Sequence, residues 1–191
     1  MAATASTRRI FNLFADILEY PRPGLAETAR ACAALLAEAN AEAVALLGEF
    51  AAFVAATPPG RLEEIYTAAF DLDATYYPYV SYHLLGESYT RSAFIVELKA
   101  RYQVQGFDVE NELPDHLVVI LRFLAGCDDA ALAAELIDDA LRPALARMVG
   151  QEAAEDANPY RAVLQALHLA LEPQAAGVVG VRQMQGARDH A

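Results

Sequence analysis

Lysine and arginine are scarce in this chain of 191 residues: they total 14, against 26 aspartate and glutamate residues, and the formal net charge is −12. A surface with this charge repels the phosphate backbone of nucleic acids and anionic lipid headgroups. It attracts a cationic peptide over roughly one Debye length, about 8–10 Å near physiological salt. Nucleic acid is therefore not expected as a partner, and a basic polypeptide is modestly favoured.

Cysteines are few, and long apolar runs are missing. Cys32 and Cys127 are too few for a disulfide framework, have no CxxC spacing, and lie beside apolar positions of helical patterns. No apolar stretch approaches the roughly 20 residues that cross a bilayer, and the N-terminal segment has no clean signal-peptide core. We therefore expect reduced packing cysteines, no membrane insertion and a cytoplasmic location.

Complete sets of catalytic residues are also missing. The sequence has neither GxGxxG nor GxxxxGK[ST], the loops that hold nucleotide phosphates, and no Glu-x-x-His pair of the di-iron type. A serine or cysteine nucleophile would need a partnered base and an oxyanion pocket, whereas Ser88 is interpreted as a helix cap and Cys127 as a core residue. The sequence predicts a binding protein rather than an enzyme, and no cofactor.

Alanine and leucine, in contrast, are abundant, and 55% of all residues are hydrophobic. The apolar residues recur at spacings of three and four, which is typical of helices. We predict an all-α fold, a single-domain helical bundle over residues 1–172. Residues 173–191 lose this periodicity and are predicted to form a flexible C-terminal tail.

Helix boundaries are predicted from capping residues and from proline. Ser6 or Thr7 is expected to cap a first helix that ends at Tyr20. Residues 57–60, Thr-Pro-Pro-Gly, are the strongest break in the sequence and are interpreted as a surface loop. Asn158, followed by proline, is predicted to start the last helix.

The most informative segment is residues 86–124, which predicts two helices joined by the acidic proline turn ELPDH. Pro114 fits the first turn of the second helix, where its missing N–H costs nothing, and Asp115 would add a favourable charge at that helix start. The alternative is that Asp115 and His116 form an ionic latch, a peptide contact or a pH-sensitive hinge. Glu87 and Arg91 stand one turn apart, a spacing that commonly gives only a solvated brace.

Four tyrosines, at positions 76, 77, 79 and 82, surround Pro78. Tyrosine combines a rigid apolar ring with a hydroxyl that can find a partner at a wet boundary. These residues either line a binding groove or fill a packing turn at the rim of the core. Aromatic and charged groups gathered near helix ends, without a nucleophile or a metal cluster, suit a surface that binds another polypeptide.

Histidine occurs 4 times, at positions 83, 116, 168 and 190. His83 and Glu87 could share a helix face, and His116 could approach them in the fold, which would give three metal ligands. The alternative function is therefore a small helical metal-dependent enzyme using His83, Glu87 and His116. A third interpretation is a permanent structural subunit of a complex. The sequence leaves open whether the chain forms a homodimer.

The sequence resembles the nitrate reductase delta subunit family over about residues 10–171. The likeness rests on YTAAFDL, HLLGESYTR, KARYQVQGF, ELPDHLVVILRFLA and NPYRAVLQAL, in this order. ELPDHL is the most specific element, GES-x-x-R the second, and LEYPRP near the N-terminus the third. This group is part of a wider family of cytoplasmic chaperones that mature molybdenum-containing oxidoreductases.

The resemblance implies a helical chaperone without catalytic activity. It would bind the N-terminal or twin-arginine segment of the apo catalytic subunit of a molybdoenzyme, nitrate reductase or a related oxidoreductase. It would also keep that subunit competent for molybdenum cofactor insertion before membrane docking or export. Carried over by motif, the client-binding residues would be Pro114, Asp115, His116, Glu87, Arg91, Tyr76, Tyr79 and Tyr82.

Overall fold

The computed structural model describes residues 4–109, 111–150 and 158–172. Their regular structure is helical, as predicted, and extended pairing among them is limited to one bridge between Tyr79 and His116. The elements in chain order are α1 (Ala5–Leu18), α2 (Leu25–Leu36), α3 (Ala41–Ala56), α4 (Pro59–Phe70), α5 (Val80–Leu85), α6 (Tyr89–Val104), α7 (Leu117–Gly126), α8 (Ala130–Glu135), a π-helical turn (Leu136–Leu141), α9 (Arg142–Gly150) and α10 (Tyr160–Ala170). The predicted tail, residues 173–191, lies outside the described residues, and the 1–172 boundary stays a prediction.

Helices α1, α2, α3, α7 and α10 pack against one another and form the scaffold. Their inward positions are apolar, and Phe14, Ile17, Leu47, Ile120 and Leu164 are 0% exposed. Full burial of one such side chain contributes about 1.5–3 kcal/mol. Among the described residues, no helix is both long and apolar enough to span a membrane.

The first helix begins earlier than predicted. The side chain of Thr4 accepts a hydrogen bond from the Thr7 N–H at 3.1 Å, so Thr4 is the cap and not Ser6 or Thr7. The helix then ends at Leu18 rather than at Tyr20. The Thr4 hydroxyl thus satisfies one of the free backbone donors at the helix start, a role that a later cap would have played further along the chain.

The predicted loop at residues 57–60 is shorter than expected. Helix α3 ends at Ala56, and α4 already begins at Pro59, so Thr57 and Pro58 alone connect the two helices. Proline lacks an N–H and has a φ suited to the first helical position. The second proline of the pair therefore starts a helix instead of prolonging the loop.

Other predicted starts and packing positions are confirmed. Ser88 accepts from the Arg91 N–H at 3.2 Å ahead of α6, and Asn158 accepts from the Tyr160 N–H at 3.0 Å ahead of α10. Cys32 is a buried free thiol, and burial raises its pKa to about 12. At neutral pH its thiolate is negligible, which agrees with a packing role.

Candidate functional site

The acidic proline motif folds as a tight turn ahead of α7. The His116 N–H donates to the Leu113 carbonyl at 3.0 Å, which leaves Pro114 and Asp115 at the two central positions. Proline is favoured at the first of these positions. The prediction that Pro114 lies in the first turn of the helix is therefore wrong, because α7 begins only at Leu117.

Two backbone hydrogen bonds tie this turn to the segment that leads into α5. The Leu117 N–H donates to the Pro78 carbonyl at 2.8 Å, and the Val80 N–H donates to the Asp115 carbonyl at 2.9 Å. They lie on either side of the Tyr79–His116 bridge. Residues distant in sequence are thus held side by side at the start of α7.

Beneath this pairing, Asp115, Ser81 and Arg91 form a buried polar network. The Asp115 side chain is 0% exposed, and its Oδ2 accepts from Ser81 Oγ at 2.5 Å and lies 3.5 Å from a terminal nitrogen of Arg91. Arg91 Nε donates to Ser81 Oγ at 3.2 Å. Asp115 Oδ1 has no hydrogen-bond partner among the described residues. Asp115 therefore serves as an internal anchor and not as a capping charge.

Arg91 does not brace Glu87, contrary to the sequence interpretation. Helix α5 ends at Leu85, Gly86 follows with a φ of 61°, and Ser88 caps α6, so Glu87 lies exposed between the two helices. The Arg91 side chain is only 19% exposed and points to Asp115 instead. Sequence reasoning missed Ser81, whose only local signal is its position between the tyrosines and the GES motif.

The proposed metal ligands do not assemble. Glu87 lies beyond the end of α5 and cannot share its face with His83. His83 Nε2 lies 2.7 Å from the Tyr77 carbonyl oxygen, and His116 Nδ1 accepts from the Val118 N–H at 3.2 Å. Within the described ranges, no group of three histidine, cysteine, aspartate or glutamate side chains is placed to hold a metal ion.

His116, and not Asp115, caps α7. Its Nδ1 is the acceptor for a backbone N–H of the first turn, which requires this nitrogen to be unprotonated. Burial lowers the pKa of His116 below 6.5, while the carboxylates of Glu112 and Asp115 act in the opposite direction. The imidazole is therefore neutral at neutral pH and suited to the capping role.

Tyr77, Tyr79 and Tyr82 form a contiguous tyrosine cluster above the buried network. The ring centroid of Tyr77 lies 5.2 Å from that of Tyr79 and 4.6 Å from that of Tyr82. The Arg91 guanidinium is 5.8 Å from the Tyr79 ring centroid, in a cation–π arrangement. Tyr79 also donates its hydroxyl to a Glu112 carboxylate oxygen at 3.3 Å. Tyr77 and Tyr82 remain 39% and 37% exposed.

Tyr76 is separate from this cluster. It is 3% exposed and packs into the core, with its ring centroid 6.4 Å from that of Phe70. The packing-turn interpretation thus applies to Tyr76, whereas the other three tyrosines face the surface and their place in a binding groove stays a prediction. A peptide lying on the surface could not touch Tyr76 without a rearrangement, and Tyr77 is a surface residue that the sequence interpretation left out.

A groove of about 430 Å³ lies beside the start of α7, and His116 is one of its lining residues. We name it the acidic groove. Its apolar lining is Tyr20, Tyr66, Phe107, Val109, Val118 and Val119, and its polar rim is Glu19, Asp108, Asn111, Glu112, His116 and Arg122. Arg122, the one cation among the described rim residues, is already paired with Asp16 at 2.5 Å and with Glu19 at 2.8 Å. Tyr20 and Glu19 belong to the LEYPRP motif, which was the available sequence signal for this groove.

A second recess lies on the other side of the tyrosine cluster. Its volume is about 440 Å³, and it is lined by Asp71, Asp73, Ala74, Thr75, Tyr77, Tyr82 and His83. Glu112 and His116 of the acidic groove contact Tyr79, which in turn contacts Tyr77 of this recess. The two recesses and the cluster therefore form one surface in which aromatic rings alternate with carboxylates.

Comparison of the structure with solved structures identifies the class of fold. A protein described as a redox enzyme maturation protein, from Archaeoglobus fulgidus, superposes with a TM-score of 0.59 and 22% sequence identity, over 87% of this chain and 94% of that chain. A search of curated proteins gave no match. The fold is thus the all-helical fold of a redox enzyme maturation protein, as expected.

The sequence also matches a family model over residues 33–173, described as nitrate reductase delta subunit. The matched region includes the tyrosine cluster, both helices of the GES and ELPDH motifs, and α10. The chain belongs to the nitrate reductase delta subunit family. This membership confirms the resemblance and supports a redox enzyme maturation chaperone role.

Proposed function

We propose that this protein is a client-specific cytoplasmic chaperone without catalytic activity. Its client is the apo catalytic subunit of a molybdenum-containing oxidoreductase, nitrate reductase or a relative, whose N-terminal segment it binds. Binding keeps that subunit competent for molybdenum cofactor insertion and delays membrane docking or export until insertion is complete.

The observation that carries this proposal is the acidic groove beside the tyrosine cluster. Its floor is apolar, and Glu19, Asp108 and Glu112 stand on its rim. A short amphipathic segment binds in such a groove through apolar anchors. Basic side chains on the same segment are attracted by the rim and by the net charge of −12. A polypeptide with both features is the ligand that this surface suits best.

The predicted site residues take two different roles in this proposal. Tyr79, Tyr82 and Glu87 have side chains at the surface and would contact the client directly. Asp115 and Arg91 act from below, because their ion pair fixes the turn and the ring of Tyr79.

Three further residues support the surface without forming most of it. His116 caps α7 and is one of the lining residues of the groove. Pro114 and Tyr76 are buried and support the turn and the tyrosine segment from the core side.

A buried acceptor without a partner, such as Asp115 Oδ1, is costly, and such groups are more frequent at functional sites than in ordinary cores.

Isothermal titration calorimetry with the N-terminal peptide of a nitrate reductase catalytic subunit from the same genome tests the proposal. We expect one peptide per chain and an affinity that decreases as salt is added. Glu112→Gln, which removes a rim charge, should weaken binding. The control Glu49→Gln removes one charge of the same sign from an exposed site on α3 outside the groove, and it should leave peptide binding unchanged. No binding of this peptide or of the apo subunit would refute the proposal.

A cellular test addresses maturation itself. Cells that lack the gene should accumulate catalytic subunit without molybdenum cofactor, and the wild-type gene should restore its loading. Asp115→Ala and His116→Ala should restore less loading than wild type at equal levels of soluble chaperone. Full cofactor loading of the catalytic subunit in the deletion strain would contradict the proposed function. Full loading with both variants would show that these residues do not form the site.

A further inference from the structure

Helix α6 presents a large apolar face that no other part of the described chain covers. Tyr89 is 90% exposed, Val96 is 70% exposed and Val104 is 83% exposed. Ala93 and Ala100 are also exposed and lie between them at helical spacing, so that the five side chains fall on one face. We name this set the outer stripe. Large apolar side chains that are exposed together in this way mark an interaction surface.

The stripe is not a loosely packed part of the core. The opposite face of α6 buries Leu98 and Tyr102, and Phe94 and Ile95 are half-buried between the two faces. The helix therefore already has its inward contacts, and the outer stripe remains available to a separate polypeptide.

The charge of α6 is compatible with a second copy of this chain as that polypeptide. The helix carries three basic residues, Arg91, Lys99 and Arg101, and one acidic residue, Glu97, in a chain with a net charge of −12. Arg101 lies 2.7 Å from carboxylate oxygens of both Glu97 and Glu135, so the only carboxylate of this helix is already paired. Two copies of an acidic chain can approach each other along α6 without bringing unpaired carboxylates of the helix together.

We propose that the outer stripe docks against the same stripe of a second copy of this chain, with the two α6 helices antiparallel about a two-fold axis. The sizes of the side chains are self-complementary in one register. Tyr89 lies opposite Ala100 of the second copy, and Ala93 lies opposite Val96 of the second copy. Tyr89 and Val96 then each meet an alanine, which lets the helix axes approach to about 8 Å, while Val104 lies beyond the paired segment.

The flanking residues are compatible with this register. Ser92 faces Lys99 of the second copy, and Thr90 faces Glu97 of the second copy, so no like charges stand opposite each other. The contact is isologous and therefore closes as a dimer instead of extending into a filament. A single helix pair buries less than the roughly 1,200–2,000 Å² of a standard interface, and the dimer is accordingly weak, with a dissociation constant on the order of micromolar.

Sedimentation velocity of the full chain tests the association. The weight-average sedimentation coefficient should increase with protein concentration between about 1 and 200 μM, a range that brackets the expected constant. Val96→Glu introduces a charge at the centre of the stripe and should weaken dimerisation at least tenfold. The matched control is Leu72→Glu, which adds the same charge at an apolar residue that is 77% exposed outside α6 and should dimerise like wild type.

Disulfide cross-linking tests the register. A mixture of the Tyr89→Cys and Ala100→Cys variants should form a cross-linked heterodimer on mild oxidation. Val104→Cys alone should not cross-link, because two copies of position 104 lie roughly 28 Å apart in the antiparallel pair. The native cysteines do not interfere, since Cys32 is 0% exposed and Cys127 is 4% exposed.

Three results would overturn the inference. The first is a sedimentation coefficient that stays at the monomer value up to 200 μM, and the second is a dimer that Val96→Glu leaves intact. The third is cross-linking of Val104→Cys to itself, which indicates parallel helices. If Val96→Glu instead abolished client-peptide binding by a monomeric chain, the stripe would be a client surface. The inference does not depend on the client proposal, because the sedimentation and cross-linking measurements contain no client.

Discussion

Helices α1 and α6 are similar in length, with 14 and 16 residues, but they are held in place in opposite ways. Helix α1 buries five apolar side chains against the scaffold, Phe11, Phe14, Ala15, Ile17 and Leu18. Helix α6 buries only Leu98 and Tyr102 and is otherwise tied by polar contacts: Arg91 to Asp115, Arg101 to Glu135, and the Tyr102 hydroxyl to the Pro114 carbonyl at 3.1 Å.

This difference indicates that the scaffold supplies the stability of the fold, whereas the polar contacts of α6 orient the surface proposed for recognition. Apolar burial is non-directional and large, and it fixes the scaffold. Polar contacts are directional and smaller in net free energy, and they orient the surface around the tyrosine cluster while its faces remain exposed. Of these two helices, the one that contributes less to the core is thus the one that borders the candidate site.

The largest expected effect comes from the scaffold. Phe14→Ala in α1 should lower the free energy of unfolding by about 3–5 kcal/mol, because Phe14 is 0% exposed and its removal leaves a cavity. Val96→Ala on the outer stripe should change it by less than about 0.5 kcal/mol at low protein concentration. Urea unfolding measures both values, and similar losses in the two variants would contradict the contrast between the helices.

A smaller loss is expected when the buried anchor of α6 is removed. Asp115→Ala should lower the free energy of unfolding by about 2–3 kcal/mol, at or below the lower end of the range for breaking a buried ion pair. The loss is this small because the Arg91 side chain is 19% exposed and can still reach water. Glu87→Ala, an acid nearby without a contact to Arg91, should change stability by less than about 0.5 kcal/mol. Chemical denaturation of the two variants distinguishes an anchor from a general charge effect.

The exposed ion pairs of Arg101, at the other end of α6, should contribute less to stability. Arg101→Gln removes contacts with Glu97 and Glu135, but the three side chains are 35%, 63% and 51% exposed. We expect a loss of about 0.5–1 kcal/mol at low salt, and a smaller loss in 0.5 M NaCl because of screening. A salt-independent loss above 2 kcal/mol would mean that these ion pairs act as a buried anchor.

The smallest effect concerns pH. The pKa of His116 lies below its usual 6.5 in the folded chain because of burial, and the pKa of His83 is lowered for the same main reason. The unfolded chain therefore binds more protons than the folded chain. As the pH drops below about 6.5, these two histidines lower the free energy of unfolding, and the decline ends once the pH is below their pKa values in the folded chain. His116→Asn, which can still cap α7, should make this decline shallower. Thermal unfolding between pH 5 and 8 compares the slopes, and equal slopes would exclude a contribution of His116.

The sequence was sufficient for features that depend on neighbouring residues. The side chains of Ser88 and Asn158 accept local hydrogen bonds ahead of α6 and α10, and both residues were correctly predicted to precede these helices. Competing local signals caused the errors at Thr4, where Ser6 and Thr7 could also cap the helix, and at Pro59, where either of two adjacent prolines could start one. Boundary errors of this size are inherent to local patterns, because several choices satisfy the same backbone donors.

The candidate site was less predictable because its key contacts are long-range. Arg91 has a suitable acid four residues before it, yet it pairs with Asp115, which the fold brings closer. Nothing near Ser81 in the sequence indicates that its hydroxyl meets the same carboxylate. Likewise, Tyr76 and Tyr77 are adjacent, and only the path of the chain sends one ring into the core and the other to the surface.

Lys99, on the flank of the outer stripe, is the single lysine of the sequence. Amine-reactive reagents consequently have one side-chain target in this protein, in addition to the α-amino group of the chain. A fluorophore coupled there would sit at the edge of α6 without any engineered cysteine. Its anisotropy and accessibility would report directly on what covers this helix, in the purified chain and in mixtures with a client.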